Sequence, residues 1–159
     1  MDNEETDIKL SRIHILFNED QADRYDIQQW STQEKIDAIA LRDTKRLAEV
    51  QMLLEENELH APDDLYYAAM IFQHGSSVEH FKKANRLAEQ SMDLGYEPAK
   101  WLYAASLDRA LLNEGKPQKF GTQYKITTDR EKEYFPCDPT TTDEERKKYN
   151  VPRLNNIVK

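Results

Sequence analysis

Apolar side chains return every three or four residues over the first two thirds of this sequence, the interval at which they share one face of an α-helix. The first such stretch runs from about Ile8 to Tyr25, with Ile13, Leu16 and Phe17 on one side, and stops before Trp30-Ser31. Ser31 or Thr32 can cap a second helix, Glu34 standing three residues after Ser31 as a capping-box partner. Its stripe is Ile36, Ile39, Ala40, Leu47, Val50 and Leu54, which makes it the longest helix, ending near Asn57. Ala61-Pro62-Asp63-Asp64 opens a third, with proline in the first turn and acids against the helix dipole, and it closes at Gln73-His74-Gly75. Ser76-Ser77 begins a fourth, whose Phe81, Ala84, Leu87, Ala88 and Met92 lead to Leu94-Gly95; Pro98 opens a fifth that ends at Asn113-Glu114-Gly115. Gly75, Gly95 and Gly115 thus stand where helix C-terminal caps belong.

Beyond Gly115 the helical period is lost. Residues 116–124 read as a loop, Tyr124 to Thr127 and Glu133 to Phe135 can pair as short strands across Thr128-Asp129, and Thr142 can cap a last short helix through Glu145. The tail, Val151-Pro152-Arg153-Leu154, is extended and expected to pack back on the helices. The pattern predicts one mostly α-helical domain over residues 1–159, with two N-terminal helices, a helical-hairpin core over 62–115 and a loop-rich segment over 116–159.

The informative positions are those that interrupt the stripes. Seven residues after Trp101, on the face that also carries Ala104 and Ala105, stands Asp108. The second helix leads from Ile39 and Ala40 to Asp43 and Arg46, and the first from Ile13 and Phe17 to Asp20 and Arg24. Three helices therefore turn an Asp and an Arg inward, the third pair being Asp108 beside Arg109. An unpaired buried carboxylate costs several kcal/mol, so these groups either pair with one another, as a network that fixes helix register, or line a wet cleft that takes a ligand. His74, at the end of the third helix, suits a cap on the last carbonyls or a general base oriented by Asp108 or Asp43. Gln118, Thr122 and Gln123 flank Gly121 in a loop that could close over the charged pairs; amides and a hydroxyl suit either ligand reading or a self-bonded turn. Tyr66, Tyr67, Phe72, Trp101 and Tyr103 lie at helical spacing and are expected in the core.

Composition narrows the function. A net charge of −8 gives no electrostatic footprint for nucleic acid, and Lys82-Lys83 and Lys147-Lys148 read as solvated faces. The acidic start and the absence of a long apolar run argue against a secretory signal and a membrane span, and a single cysteine fits the reducing cytoplasm. Cys137, between Pro136 and Asp138, is a poor nucleophile, because a nearby carboxylate raises a thiol's pKa. His14, His60 and His80 form no zinc pattern and there is no phosphate-binding glycine motif, so no metal and no cofactor are expected.

An offset of 36 residues superposes Pro62 on Pro98, Leu65 on Trp101, and Tyr67-Ala68-Ala69 on Tyr103-Ala104-Ala105. With the run Ala84-Asn85-Arg86-Leu87-Ala88 to Gly95-Tyr96-Glu97-Pro98-Ala99, the segment from Pro62 to about Gly115 resembles tetratricopeptide or Sel-type repeats, which implies stacked hairpins and leaves activity open. A wider resemblance rests on Asp20-Gln21-Ala22-Asp23-Arg24, Ala69-Met70-Ile71-Phe72-Gln73-His74-Gly75, Asp108-Arg109, the string Pro117 to Gln123, and Thr141 to Arg146. Over nearly the whole chain it is similar to a mainly bacterial family of unknown function, and that likeness implies no reaction. Three readings remain open: a module that binds a small molecule, protein or peptide; a small hydrolase or transferase in which His74 or Asp108 moves a proton, Arg24, Arg46 or Arg109 holds an anion, and the 118–123 loop orients it; and a structural or accessory protein without a pocket, in which the Asp/Arg pairs only specify the fold.

Overall fold

The computed structural model describes residues 10–157, and the chain is mostly helical. The elements are α1 (Arg12–Tyr25), a 3-10 turn (Ile27–Trp30), α2 (Gln33–Glu55), α3 (Pro62–Gln73), α4 (Val78–Asp93), α5 (Ala99–Asn113), β1 (Tyr124–Ile126), β2 (Lys132–Tyr134) and α6 (Asp143–Lys148). A second 3-10 turn, Leu154–Asn156, follows. Ile8 and Lys9, with which the first apolar stretch begins, lie outside the described residues.

Local chemistry sets the boundaries. Thr32, Ser77 and Thr142 each accept a backbone N–H three residues on, so α2, α4 and α6 start where their hydroxyls cap them. At α2 the cap is Thr32, and the residue three on is Lys35, so the expected box between Ser31 and Glu34 does not form. Four helices end in the same way. Asn57, Gly95, Gly115 and Asn150 adopt positive φ, and the next residue's N–H reaches back to Leu53, Ser91, Leu111 and Arg146. Gly75 is different. Its φ is not left-handed; it is glycine because a Cβ there would lie 2.6 Å from the Cβ of His80.

Helices α3, α4 and α5 form the central layer, with α4 packed along both neighbours and α1 and α2 laid against α3. Alanines at the contacts bring the backbones close: Ala68, Ala69, Ala84, Ala88, Ala104 and Ala105 are fully buried. Polar bonds hold the layer in register, Ser91 Oγ donating to the Pro62 carbonyl at 2.6 Å and Asn85 Nδ2 to the Tyr103 carbonyl at 2.9 Å. In the 36-residue frame α3 corresponds to α5, but no helix corresponds to α4 a second time. The loop after α5 and α6 cover that face instead, through Phe120, Tyr149 and Val151 packed on Ala104, with Tyr103 and Tyr149 stacked at 4.8 Å.

Two sequence expectations shift. The expected hairpin forms, but its strands are Tyr124–Ile126 and Lys132–Tyr134, each ending one residue earlier than the pattern suggested, with Tyr124 opposite Tyr134 and Arg130 in the left-handed region of the turn. Trp101 is 44% exposed and not core. It shares a face with Asp108, but the covering loop reaches only Asp108, two turns further along, and Leu102 takes the buried place.

Candidate functional site

The ends of α1, α3 and the middle of α2 converge on a cluster of ionised side chains. Asp20 is fully buried and holds the centre: Arg24 Nη1 lies 2.9 Å from its Oδ1, His74 Nδ1 2.9 Å from its Oδ2, and Gln21 donates to it at 3.0 Å. Arg24 also grips Asp43 across the α1/α2 contact, Nη2 to Oδ2 at 2.9 Å. Arg46, one turn from Asp43 on α2, donates to it at 2.7 Å and to Asp23 at 2.7 Å, and Arg42 makes a two-pronged contact to Asp23. The expected pairs Asp20 with Arg24 and Asp43 with Arg46 are therefore joined into one network. Asp23, Arg42 and Gln73 belong to the same region and were not among the sequence candidates. A signal existed for two of them: Asp23-Arg24 on α1 meets the reversed dipeptide Arg42-Asp43 on α2, so each charge faces its opposite.

The network controls titration. Burial pushes the Asp23 carboxyl up, but hydrogen bonds from Arg42 and Arg46, with their charges, outweigh it and hold the group below the usual carboxylate range. Burial works against the Arg46 cation too, and its bonds to Asp43 and Asp23 more than restore it. Arg109 has no such compensation. Its guanidinium donates from Nη1 to the Gln73 carbonyl at 2.9 Å and lies over Phe81 at 5.1 Å, and burial followed by the nearby charge of Arg24 pulls its pKa down.

Asp108 corrects the sequence reading of the third pair. Residues i and i+1 on a helix point about 100° apart, so Asp108 and Arg109 diverge. Asp108 is fully buried and takes four hydrogen bonds, from the N–H groups of Lys119, Phe120 and Thr122 and from Thr122 Oγ1, at 2.7 to 2.9 Å. With every lone-pair direction occupied it neither orients His74 nor acts as a base; Asp20 orients the ring. The loop is inward-facing as well. Gln118 is buried, donates to the carbonyls of Gln123 and Phe135 and accepts from the Gln123 N–H, while Gln123 Nε2 turns back to Thr122. These side chains fasten the loop and do not close over the Asp/Arg network.

Arg146 of α6 braces the same loop from its other side. It is fully buried and donates to the carbonyls of Phe120, Thr141 and Pro152. Phe120 thus offers its N–H to Asp108 and its carbonyl to Arg146. Arg146 Nη2 also approaches Cys137 Sγ at 3.6 Å, yet burial dominates and the thiol's pKa is raised, so Cys137 is a weak nucleophile.

A groove of about 480 Å3 runs between α2 and α4. Phe72 lies at its floor, Leu47, Ala48 and Gln51 form one wall, and His80, Lys83 and Arg86 form the other. Among the described residues, no group of three His, Cys, Asp or Glu side chains is placed to hold a metal, and no helix is long and apolar enough to cross a membrane. No family model, curated protein or solved structure matches the chain.

Proposed function

We propose that this chain is a non-catalytic binding module that seats an acidic, partly apolar segment of a partner protein in the groove between α2 and α4. The groove itself carries this reading. Its floor and one wall are apolar at Phe72, Leu47 and Ala48, and its other wall presents Lys83 and Arg86 against a single acid, Glu79. Lys83 stands over the Phe72 ring and reaches Gln51 across the gap, while Arg86 is exposed and makes no ion pair among the described residues. A surplus of cations in an acidic chain selects for an acidic partner. The enzyme alternative is weakened, because Asp108 and the 118–123 loop are consumed by the fold. A cytoplasmic setting accords with the single cysteine.

Selection from a displayed random-peptide library tests the reading. Acid-rich peptides with an aromatic or aliphatic anchor should be enriched, and Lys83→Glu with Arg86→Glu should weaken the best of them at least tenfold. Enrichment of basic or neutral peptides, or binding that ignores the double variant, would sink it.

A further inference from the structure

We propose that Arg109, His74 and Gln73 form a second site, which binds a phosphate group presented by a small molecule. It uses none of the groove residues, so it stands or falls independently of the peptide-binding reading.

The first observation is a charge count. Arg24, Arg42 and Arg46 are all bonded to carboxylates, and the three carboxylates concerned, Asp20, Asp23 and Asp43, are shared among them. Arg109 is the fourth arginine of the region and pairs with no carboxylate among the described residues. In a chain of net charge −8 the local surplus of cation is not a composition effect. Of five guanidinium N–H groups, one is used on the Gln73 carbonyl; the remainder have no partner among the described residues. Burial and Arg24 both oppose this cation, which an anion would relieve.

The second observation is independent of charge. Gln73 is 5% exposed, and its side-chain Oε1 is buried without a hydrogen-bond donor, although its backbone carbonyl is the very group that Arg109 grips. The third concerns the next residue. His74 uses Nδ1 on the buried Asp20, which fixes the ring, and Nε2 carries no hydrogen bond among the described residues. Two successive residues at the end of α3 therefore carry a buried acceptor that lacks a donor and a ring nitrogen that is free, and the Gln73 carbonyl ties the guanidinium of Arg109 to the same end.

That combination has a chemical signature. Arg109 calls for oxyanion oxygens, and Gln73 Oε1 calls for an O–H on the same ligand. Monohydrogen phosphate and the monoanion of a phosphate monoester carry both; sulfate carries the oxygens without the hydroxyl, and a carboxylate is likewise only an acceptor at neutral pH. Phosphate is therefore favoured over sulfate at this site, a preference that charge alone would not produce.

The test is thermal melting of the whole chain at constant ionic strength with inorganic phosphate, glycerol phosphate, sulfate or chloride. Phosphate should raise the midpoint saturably by several degrees and sulfate by clearly less. A larger shift from glycerol phosphate assigns the site to a monoester, and a shift from the inorganic ion alone assigns it to free phosphate. Arg109→Gln should melt no lower than wild type without ligand and lose the shift, and Gln73→Glu, which supplies an internal carboxylate, should lose it too. Should Arg109→Gln fail to fold, NMR of the wild type decides, since phosphate must move the His74 ring and Arg109 Nε–Hε resonances together. Equal shifts from all the anions, a retained shift in the variants, or unmoved His74 and Arg109 resonances overturn the proposal.

Discussion

Two centres of buried charge sit in this small protein, and they are satisfied differently. At the α1/α2/α3 junction, carboxylates meet guanidinium groups side chain to side chain, and bonds are shared among several partners, with Arg46 Nε and Gln73 Oε1 left over. At the loop after α5, Asp108 and Arg146 hardly use other side chains. Each is bonded chiefly to backbone, one to N–H groups and the other to carbonyls, on opposite sides of Phe120. A network of side chains keeps spare valence and can admit a ligand. A charge wrapped by backbone is closed, and what it specifies is the path of the chain.

The largest expected effect falls on the closed centre. Asp108→Ala leaves three N–H groups and a hydroxyl without their acceptor, a loss of about 4 kcal/mol that lowers the melting midpoint by roughly 10 °C. Urea unfolding that shows a loss below about 1 kcal/mol would contradict the account. Arg146→Met keeps the volume but abandons three carbonyls, and should cost about 3 kcal/mol, with protease sensitivity appearing first over residues 116–157. If cleavage instead begins in α2, the two centres are not separable in the way described.

On the shared network the effects are smaller. Asp23→Asn weakens the bonds from Arg42 and Arg46 and should cost about 1–2 kcal/mol at neutral pH. The sign of its pH dependence follows from a carboxyl whose pKa is depressed on folding: its contribution is present above the unfolded value of about 3.9 and is lost as the pH falls through the folded one. Melts between pH 6 and pH 3 should therefore decline less steeply for Asp23→Asn than for wild type, and parallel curves would remove Asp23 from the acid response. Least of all, Trp101→Ala should change stability by less than about 1 kcal/mol, since nearly half of the side chain is exposed; a loss of 2 kcal/mol or more, measured in urea, would restore it to the core.

The sequence disclosed the helices because their signals are local. Hydroxyl caps, Pro62 and the left-handed residues act within four or five positions of themselves, and so does the Asp43–Arg46 bond. The inward turn of Asp20, Asp43 and Asp108 was legible for the same reason, as a break in a stripe. Their partners were not, because partner choice is tertiary. Asp20 meets His74 across 54 residues, and Asp108 meets backbone atoms of a loop, which no side-chain pattern encodes. No local signal marks Arg146: it stands between Glu144-Glu145 and Lys147-Lys148, and only the docking of α6 against Phe120 buries it.

The bonds to Asp108 also bear on how slowly the molecule opens. The amide protons of Lys119, Phe120 and Thr122 lie in a connecting segment, where exchange with solvent deuterium is ordinarily fast, yet releasing them uncovers a bare carboxylate in an apolar setting. They should therefore exchange on the timescale of the helical core, and together, so that three loop amides serve as a clock for detachment of the C-terminal third from α5.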